Sequence, residues 1–192
     1  MQSLYTREQL ARNVDHSNYY LFRQGFSVEE TVRIRHLWQN EAQSGTAGGK
    51  VDSTYRSSKI TWVKNTLQNR WIFDKVACLV REANKECFGF ELMGFGEDAQ
   101  IGKYEPGDHY DWHLDVGKSS TWRKLSVSVQ LTPPDQYTGG DLELHYGRVP
   151  TRVSRGLGDV VIFPSFLLHR ITPVLSGQRQ SLVLWVSGVP YR

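Results

Sequence analysis

Apolar and polar side chains follow two different rhythms along this chain. In the first half, Tyr19–Phe26 reads as a strand leading into Ser27-Val28-Glu29-Glu30. Ser27 with Glu30 three residues on is the capping-box pattern of a helix start, and Val28, Val32, Leu37 and Trp38 continue as a helical stripe. A Gly- and Ser-rich loop, Ser44–Ser58, precedes a strand at Lys59–Val63. A second helix is predicted from Asn69 to Cys87, with Ile72, Val76, Leu79, Val80 and Ala83 on one face, the spacing of a helix packed on a sheet. From Glu91 onward the runs become short and alternating, broken by Gly, Pro and Asp. Predicted strands are Glu91–Phe95, Ala99–Tyr104, His109–Asp115, Lys124–Thr132, Asp141–His145, Thr151–Ser154, Asp159–Phe163, Leu167–Thr172 and Gln180–Ser187.

Strands so closely spaced, with turn signals between them, predict a sandwich or barrel. With two helices ahead of them the class is α+β: a double-stranded β-helix, or jelly roll, with N-terminal supporting helices. Residues 1–192 fill one core and not two, so one domain is expected, with 1–90 as helical support and 91–192 as jelly-roll core. In Leu125–Leu131, Leu125, Val127, Val129 and Leu131 point one way and Ser126, Ser128 and Gln130 the other. That polar face either meets water or lines a wet internal cavity.

Composition narrows the function classes. Hydrophobic residues make up 39% and charged residues 22%, as in an ordinary globular protein. No apolar run of about 18 residues is present, which argues against a membrane span. The opening MQSLYTREQL has no basic stretch followed by an apolar block, and Cys78 and Cys87 are predicted on one helix, too far apart to bond. A cytoplasmic protein is expected. The net charge of +3, from 23 basic and 20 acidic residues, is spread along the chain and argues against nucleic acid as partner.

The chemistry concentrates in two segments. On a strand, residues two apart project to one side, so His113 and Asp115 in His-Tyr-Asp-Trp-His-Leu-Asp can grip one ion together. A surface strand with polar teeth would read the same. His169 lies in an otherwise apolar strand, where a lone histidine is commonly a satisfied core residue. Joined to His113 and Asp115, it completes two imidazoles and a carboxylate, a set that takes one face of an octahedron and suits iron(II) oxygenases. Zinc competes for the same ligands. Arg179, ten residues further on at the start of a strand, either flanks a turn or binds a carboxylate in two parallel charge-assisted bonds.

From about Glu91 onward the chain resembles the prolyl 4-hydroxylase-like group of 2-oxoglutarate oxygenases, and among them the bacterial PKHD-type hydroxylases. The matching elements occur in order: Tyr104-x-x-Gly107-x-x-Tyr110-x-x-His113-x-Asp115, Arg123-Lys124-Leu125-Ser126, Gly139-Gly140-Asp141-Leu142, Gly158-Asp159, His169, Pro173, Arg179 and Trp185. Arg56-Ser57-Ser58 and Trp62 agree loosely. The resemblance implies that His113, Asp115 and His169 ligate Fe(II) and that Arg179 binds the distal carboxylate of 2-oxoglutarate. It implies Tyr104 as a support for that carboxylate, Trp185 as a wall of the pocket, and Gln130 and Ser126 as lining. O2 is then the second cosubstrate, with ascorbate as an accessory, and oxidative decarboxylation to succinate and carbon dioxide drives hydroxylation of a C–H bond. Gly139-Gly140 reads instead as a turn needing positive φ. His109 lies about 13 Å from His113 along a strand at ~3.3 Å per residue, too far for a fourth ligand, and is placed at the substrate mouth.

The substrate class stays open. The resemblance favours a prolyl residue in a protein or peptide, with Ser44–Ser58 closing over the chain and Tyr55 and Arg56 at the contact. The alternatives are a free amino acid or other small molecule as substrate, and a non-catalytic jelly-roll binding module.

Overall fold

The computed structural model describes residues 18–38, 43–45 and 52–191. Three sheets and two helices are built from these. The strands are β1 (Tyr20–Phe22), β2 (Gln43–Ser44), β3 (Arg56–Ser57), β4 (Lys59–Val63), β5 (Leu92–Phe95), β6 (Ala99–Tyr104), β7 (His109–His113) and β8 (Arg123–Gln130). They continue as β9 (Tyr137–Gly139), β10 (Leu142–His145), β11 (Thr151–Arg152), β12 (Val160–Pro164), β13 (Leu168–Ile171), β14 (Val174–Gly177) and β15 (Arg179–Gly188). The larger sheet runs β1-β12-β8-β15-β6-β4-β2, with β5 also paired to β15; the smaller runs β11-β10-β13-β7-β3; β14 and β9 form a separate pair. All these pairings are antiparallel, and the whole is the predicted jelly roll.

The helices are α1 (Val28–Arg35) and α2 (Arg70–Ala83). The capping box forms as predicted: the Ser27 hydroxyl accepts from the Glu30 N–H, and the Ser27 N–H donates to the Glu30 carboxylate. The stripe expected on α1 is rotated, however. Val28 is 56% exposed, and Thr31 and Ile34 are the buried positions. Thr31 tolerates burial because its hydroxyl donates to Val28 O at 2.7 Å. On α2, Ile72, Phe73, Val76, Leu79, Val80 and Ala83 all bury against the larger sheet. Burial of these side chains is worth on the order of 10 kcal/mol before the entropy of ordering them. The helix widens into a π-turn at Asn84–Phe88 and stops at Gly89 (φ 66°), where Asn84 bonds both the N–H and the carbonyl of Phe90. Cys78 and Cys87 are both exposed.

Two apolar clusters result. One lies between the helices and the larger sheet and takes Leu125, Val127, Val129 and Leu131; the other lies between the two sheets. The opposite face of β8 therefore turns inward toward the smaller sheet, with Ser126 1% and Gln130 2% exposed. The first ninety residues contribute strands as well as helices: β1 and β4 are members of the larger sheet and β3 of the smaller. No helix among the described residues is long and apolar enough to cross a membrane.

Candidate metal centre and cosubstrate cavity

β7 and β13 are neighbours, and their register sets His113 directly opposite His169, with imidazole centroids 4.1 Å apart. His113 Nδ1 lies 2.7 Å from Asp111 O, and His169 Nδ1 lies 2.8 Å from Leu167 O. A carbonyl only accepts, so each Nδ1 carries the hydrogen and each Nε2 keeps a lone pair for a ligand. Strand alternation does not deliver Asp115, because β7 ends at His113. The carboxylate reaches the site because the Asp115 N–H donates to Ser165 O at 2.9 Å in the turn before β13. Its oxygens then stand 3.8 Å from His113 Nε2 and 3.5 Å from His169 Nε2. The three ligand atoms lie within 4.8 Å of one another, a group that could hold a metal ion.

Electrostatics keep this set in ligating form. Burial, with His169 close by, pushes the His113 imidazole down to about 3, so it is neutral at ordinary pH. Burial works against the Asp115 carboxylate, but the two imidazoles, the Ser126 hydroxyl and Arg123 outweigh it, and its pKa is lowered. The His113 ring is stacked on Tyr110 at 3.5 Å, and the Arg56 guanidinium covers the other partner of that stack at 4.5 Å from the Tyr110 ring. Burial raises the Tyr110 phenol, which therefore stays protonated.

The triad opens on a cavity of about 460 Å³ lined by Tyr104, Ser126, Ser128, Ser181 and Trp185 among others. Ser126 thus lines it as expected. Arg179 and Gln130 lie just outside the lining and bond or pack to residues that form it. Arg179 is 1% exposed and is the register partner of Tyr104, with its guanidinium 5.5 Å from the Tyr104 ring. It donates to Ser181 Oγ at 3.1 Å and Gln130 Oε1 at 3.2 Å, and its Nε has no partner. Among the described residues a fully buried cation therefore sits with neutral acceptors only. That is costly unless a ligand brings the anion, which fits a dicarboxylate. Trp185 Nε1 is likewise buried without a partner, on the cavity wall.

Residues 99–187 match the family model described as the 2OG-Fe(II) oxygenase superfamily. The chain is 30% identical over 176 residues to a PKHD-type hydroxylase of Prochlorococcus marinus, covering 88% of this chain and 78% of that one. The chain belongs to the 2OG-Fe(II) oxygenases. Among solved structures, a Pseudomonas putida prolyl-4-hydroxylase is similar with a TM-score of 0.72, at 20% identity over 95% of this chain and 96% of that one. A Trichoplax adhaerens prolyl hydroxylase in complex with a hypoxia inducible factor oxygen degradation domain peptide fragment gives 0.73, at 16% identity over 94% and 86%. At these identities the likeness is one of fold. The family's cofactors are Fe(II), with 2-oxoglutarate and O2 as cosubstrates.

In this oxygenase the mouth of the cavity is aromatic. Trp62 is 39% and Leu114 47% exposed, and Trp62 stands 6.4 Å from Trp185. Arg123 lies over Trp185 at 3.9 Å and is held by two bonds to Glu97, at 2.8 and 2.9 Å. No role for Arg123, Glu97, Tyr110 or Ser165 follows from the sequence alone. Arg123 and Tyr110 stand in the motifs quoted above, whereas no local signal marks Glu97 or Ser165. The described part of the expected lid is docked: Tyr55 O accepts from Asp111 N, Tyr55 OH donates to Trp112 O, and Arg56 bonds Ser58 and Gln100. Residues 46–51 of that loop lie outside the described residues. His109 sits between Thr54 O and Gly107 O and ties this segment to β7.

Proposed function

We propose that the protein is an Fe(II)- and 2-oxoglutarate-dependent hydroxylase acting on a prolyl residue of a protein or peptide. His113, Asp115 and His169 are its metal ligands and Arg179 its anchor for the distal carboxylate of 2-oxoglutarate. The observation that carries this reading is a group of three ligand atoms on one cavity, with a buried guanidinium just behind its lining that has no anionic partner among the described residues. Fe(II) bound there would supply the oxidative decarboxylation of 2-oxoglutarate to succinate and carbon dioxide, coupled to hydroxylation of a C–H bond.

The chain's own residues do the rest. The two carbonyls that hold the Nδ1 hydrogens orient the imidazoles, so no reorganisation accompanies ligation. Gln130 and Ser181 hold the Arg179 fork in place for a bidentate contact, with Tyr104 packed beside it. Trp185 walls the cavity and excludes water. The volume exceeds that of a five-carbon dicarboxylate, leaving room toward the mouth. There Trp62 and Trp185, with ring centroids 6.4 Å apart, give aromatic surface suited to the C–H-rich, donor-free ring of a prolyl residue. An exposed mouth suits a residue carried on a longer chain. A cytoplasmic setting agrees with two exposed cysteines, Cys78 and Cys87.

Succinate release from 2-oxoglutarate, measured with proline-containing peptides, free proline and other amino acids in parallel, tests the proposal. Peptides should stimulate turnover strongly and free amino acids weakly. Stimulation by free amino acids alone would transfer the assignment to small-molecule hydroxylation.

A further inference from the structure

We propose that a groove beside the cavity mouth selects a lysine or arginine on one flank of the target residue, with the Asp98 carboxylate as its partner. The inference rests on the peptide reading above and names which peptides are preferred. The groove is open, about 480 Å³ in volume, and lined by Trp62, Asn65, Phe95, Gly96, Glu97 and Asp98. Trp62 and Glu97 also line the metal cavity, so the groove adjoins its mouth. A chain whose target residue enters the cavity can therefore lay its neighbours along the groove.

The groove lining holds two carboxylates and no cationic side chain. The two are not equivalent. Glu97 is taken by Arg123, through bonds of 2.8 and 2.9 Å that form a bidentate pair. Asp98 makes no ion pair among the described residues, and its carboxylate accepts from the Asn65 N–H at 3.4 Å. Its negative charge is thus left for a partner from outside. The sheet sets it there: β4 and β6 pair Val63 with Ala99, so the residue before β6 lies beside the chain that leaves β4. Lys64, on that chain, is exposed and is not part of the lining.

The walls narrow the class of side chain. Trp62 and Phe95 give aromatic surface for the methylenes of a long side chain, while Asp98 gives a cationic head its anion. An aromatic ring also attracts a cation lying over it. Lysine and arginine meet all of these conditions, a neutral residue meets only the first, and an acidic one is repelled. The cations near the target residue, Arg56, Lys118 and Arg123, line the cavity and not the groove. They disfavour a basic neighbour on their own side, so the preference falls on one flank. Asp98 is accordingly a specificity-determining residue that stands outside the metal and cosubstrate site.

The test uses the full-length Fe(II) protein and an alanine-rich host peptide with a single proline. Lysine or glutamate is placed singly at the first ~four positions on either side, about 13 Å of extended chain at ~3.3 Å per residue. Lysine on one side only should lower the peptide KM by about two- to fivefold against the unsubstituted host, and glutamate there should raise it, with kcat unchanged. The Kd from fluorescence anisotropy of labelled peptides should follow the KM, and the preference should shrink in about 0.5 M salt. Asp98→Asn should remove the preference and Asp98→Lys invert it, both with wild-type 2-oxoglutarate turnover in the absence of peptide. A wild-type protein that binds the host but treats lysine and glutamate alike overturns the proposal, as does a preference that Asp98→Asn leaves intact. If Asp98→Lys does not fold, Asp98→Asn decides alone, since the amide keeps an acceptor for the Asn65 N–H. A host peptide that neither binds nor stimulates turnover would remove the peptide reading itself, and the groove preference with it.

Discussion

Arg179 carries the sharpest expectation of any single side chain. Its guanidinium is fully buried and, among the described residues, holds only neutral acceptors and leaves Nε without a partner. In the proposed role, removing the head group takes away a charge-assisted contact to a buried carboxylate, of order 2–5 kcal/mol. Arg179→Ala should therefore raise the KM for 2-oxoglutarate by about tenfold or more. Tyr104→Phe, which keeps the ring that packs beside the guanidinium, should raise it less. Wild-type affinity in titrations of Arg179→Ala with 2-oxoglutarate would mean that another group holds the distal carboxylate. Such a role was readable from the sequence as a spacing after His169, but the lack of an anionic partner among the described residues was not, since it depends on what the strands around β15 bring near.

Secondary-structure elements differ in what their local signals are for. The Ser27 capping box serves α1 alone, far along the chain from the ligands. The Gly139-Gly140 turn has φ of 68° and 62°, as its composition predicts, but it also abuts Arg179, the proposed cosubstrate anchor. A Cβ built on Gly140 would lie 2.9 Å from Val174 Cγ2 and 3.1 Å from Arg179 Cδ. Two substitutions of similar cost should then part in their effect on function. Ser27→Ala should lower stability by about 1 kcal/mol and leave the 2-oxoglutarate KM unchanged. Gly140→Ala should cost about 1–3 kcal/mol from backbone strain and also raise that KM, since the Arg179 shaft must shift. Denaturant unfolding with steady-state kinetics on both variants checks this; equal KM values would break the link between turn and anchor. β2, β3, β9 and β14 are not among the predicted strands: β2 and β3 fall at the ends of the Gly- and Ser-rich stretch read as a loop, and β9 and β14 pair only with each other, a partnership that no local pattern announces.

For the molecule as a whole, the inward-facing His113 and Asp115 tie folding to pH. His113 is held neutral down to about 3 in the folded state, against 6.5 when unperturbed. Below about 6.5 the unfolded chain binds a proton at this residue that the folded chain refuses, so folding stability falls as pH drops from there toward about 3. The lowered pKa of Asp115 works in the same direction, since its contribution is lost as pH falls through its folded-state value. Metal-free protein unfolded by denaturant in the presence of chelator should thus weaken from pH 7 to pH 4. His113→Gln should flatten that slope, and parallel curves for the two proteins would contradict it.

Much of this protein was determined by local pattern. The alternation in β8, the apolar face of α2, the capping box and the order of His113, Asp115, His169 and Arg179 are properties of neighbours in sequence, where propensity and period act directly. Only the tertiary structure decided which way the polar face of β8 turns, because a strand with two faces has no local reason to prefer solvent over a second sheet. It decided, too, that α1 buries Thr31 in place of Val28, through what packs beneath it. And it decided how Asp115 arrives. Two-residue alternation ends at His113, and the carboxylate is brought in by Ser165, fifty residues away in sequence, through hydrogen bonds that no spacing rule encodes.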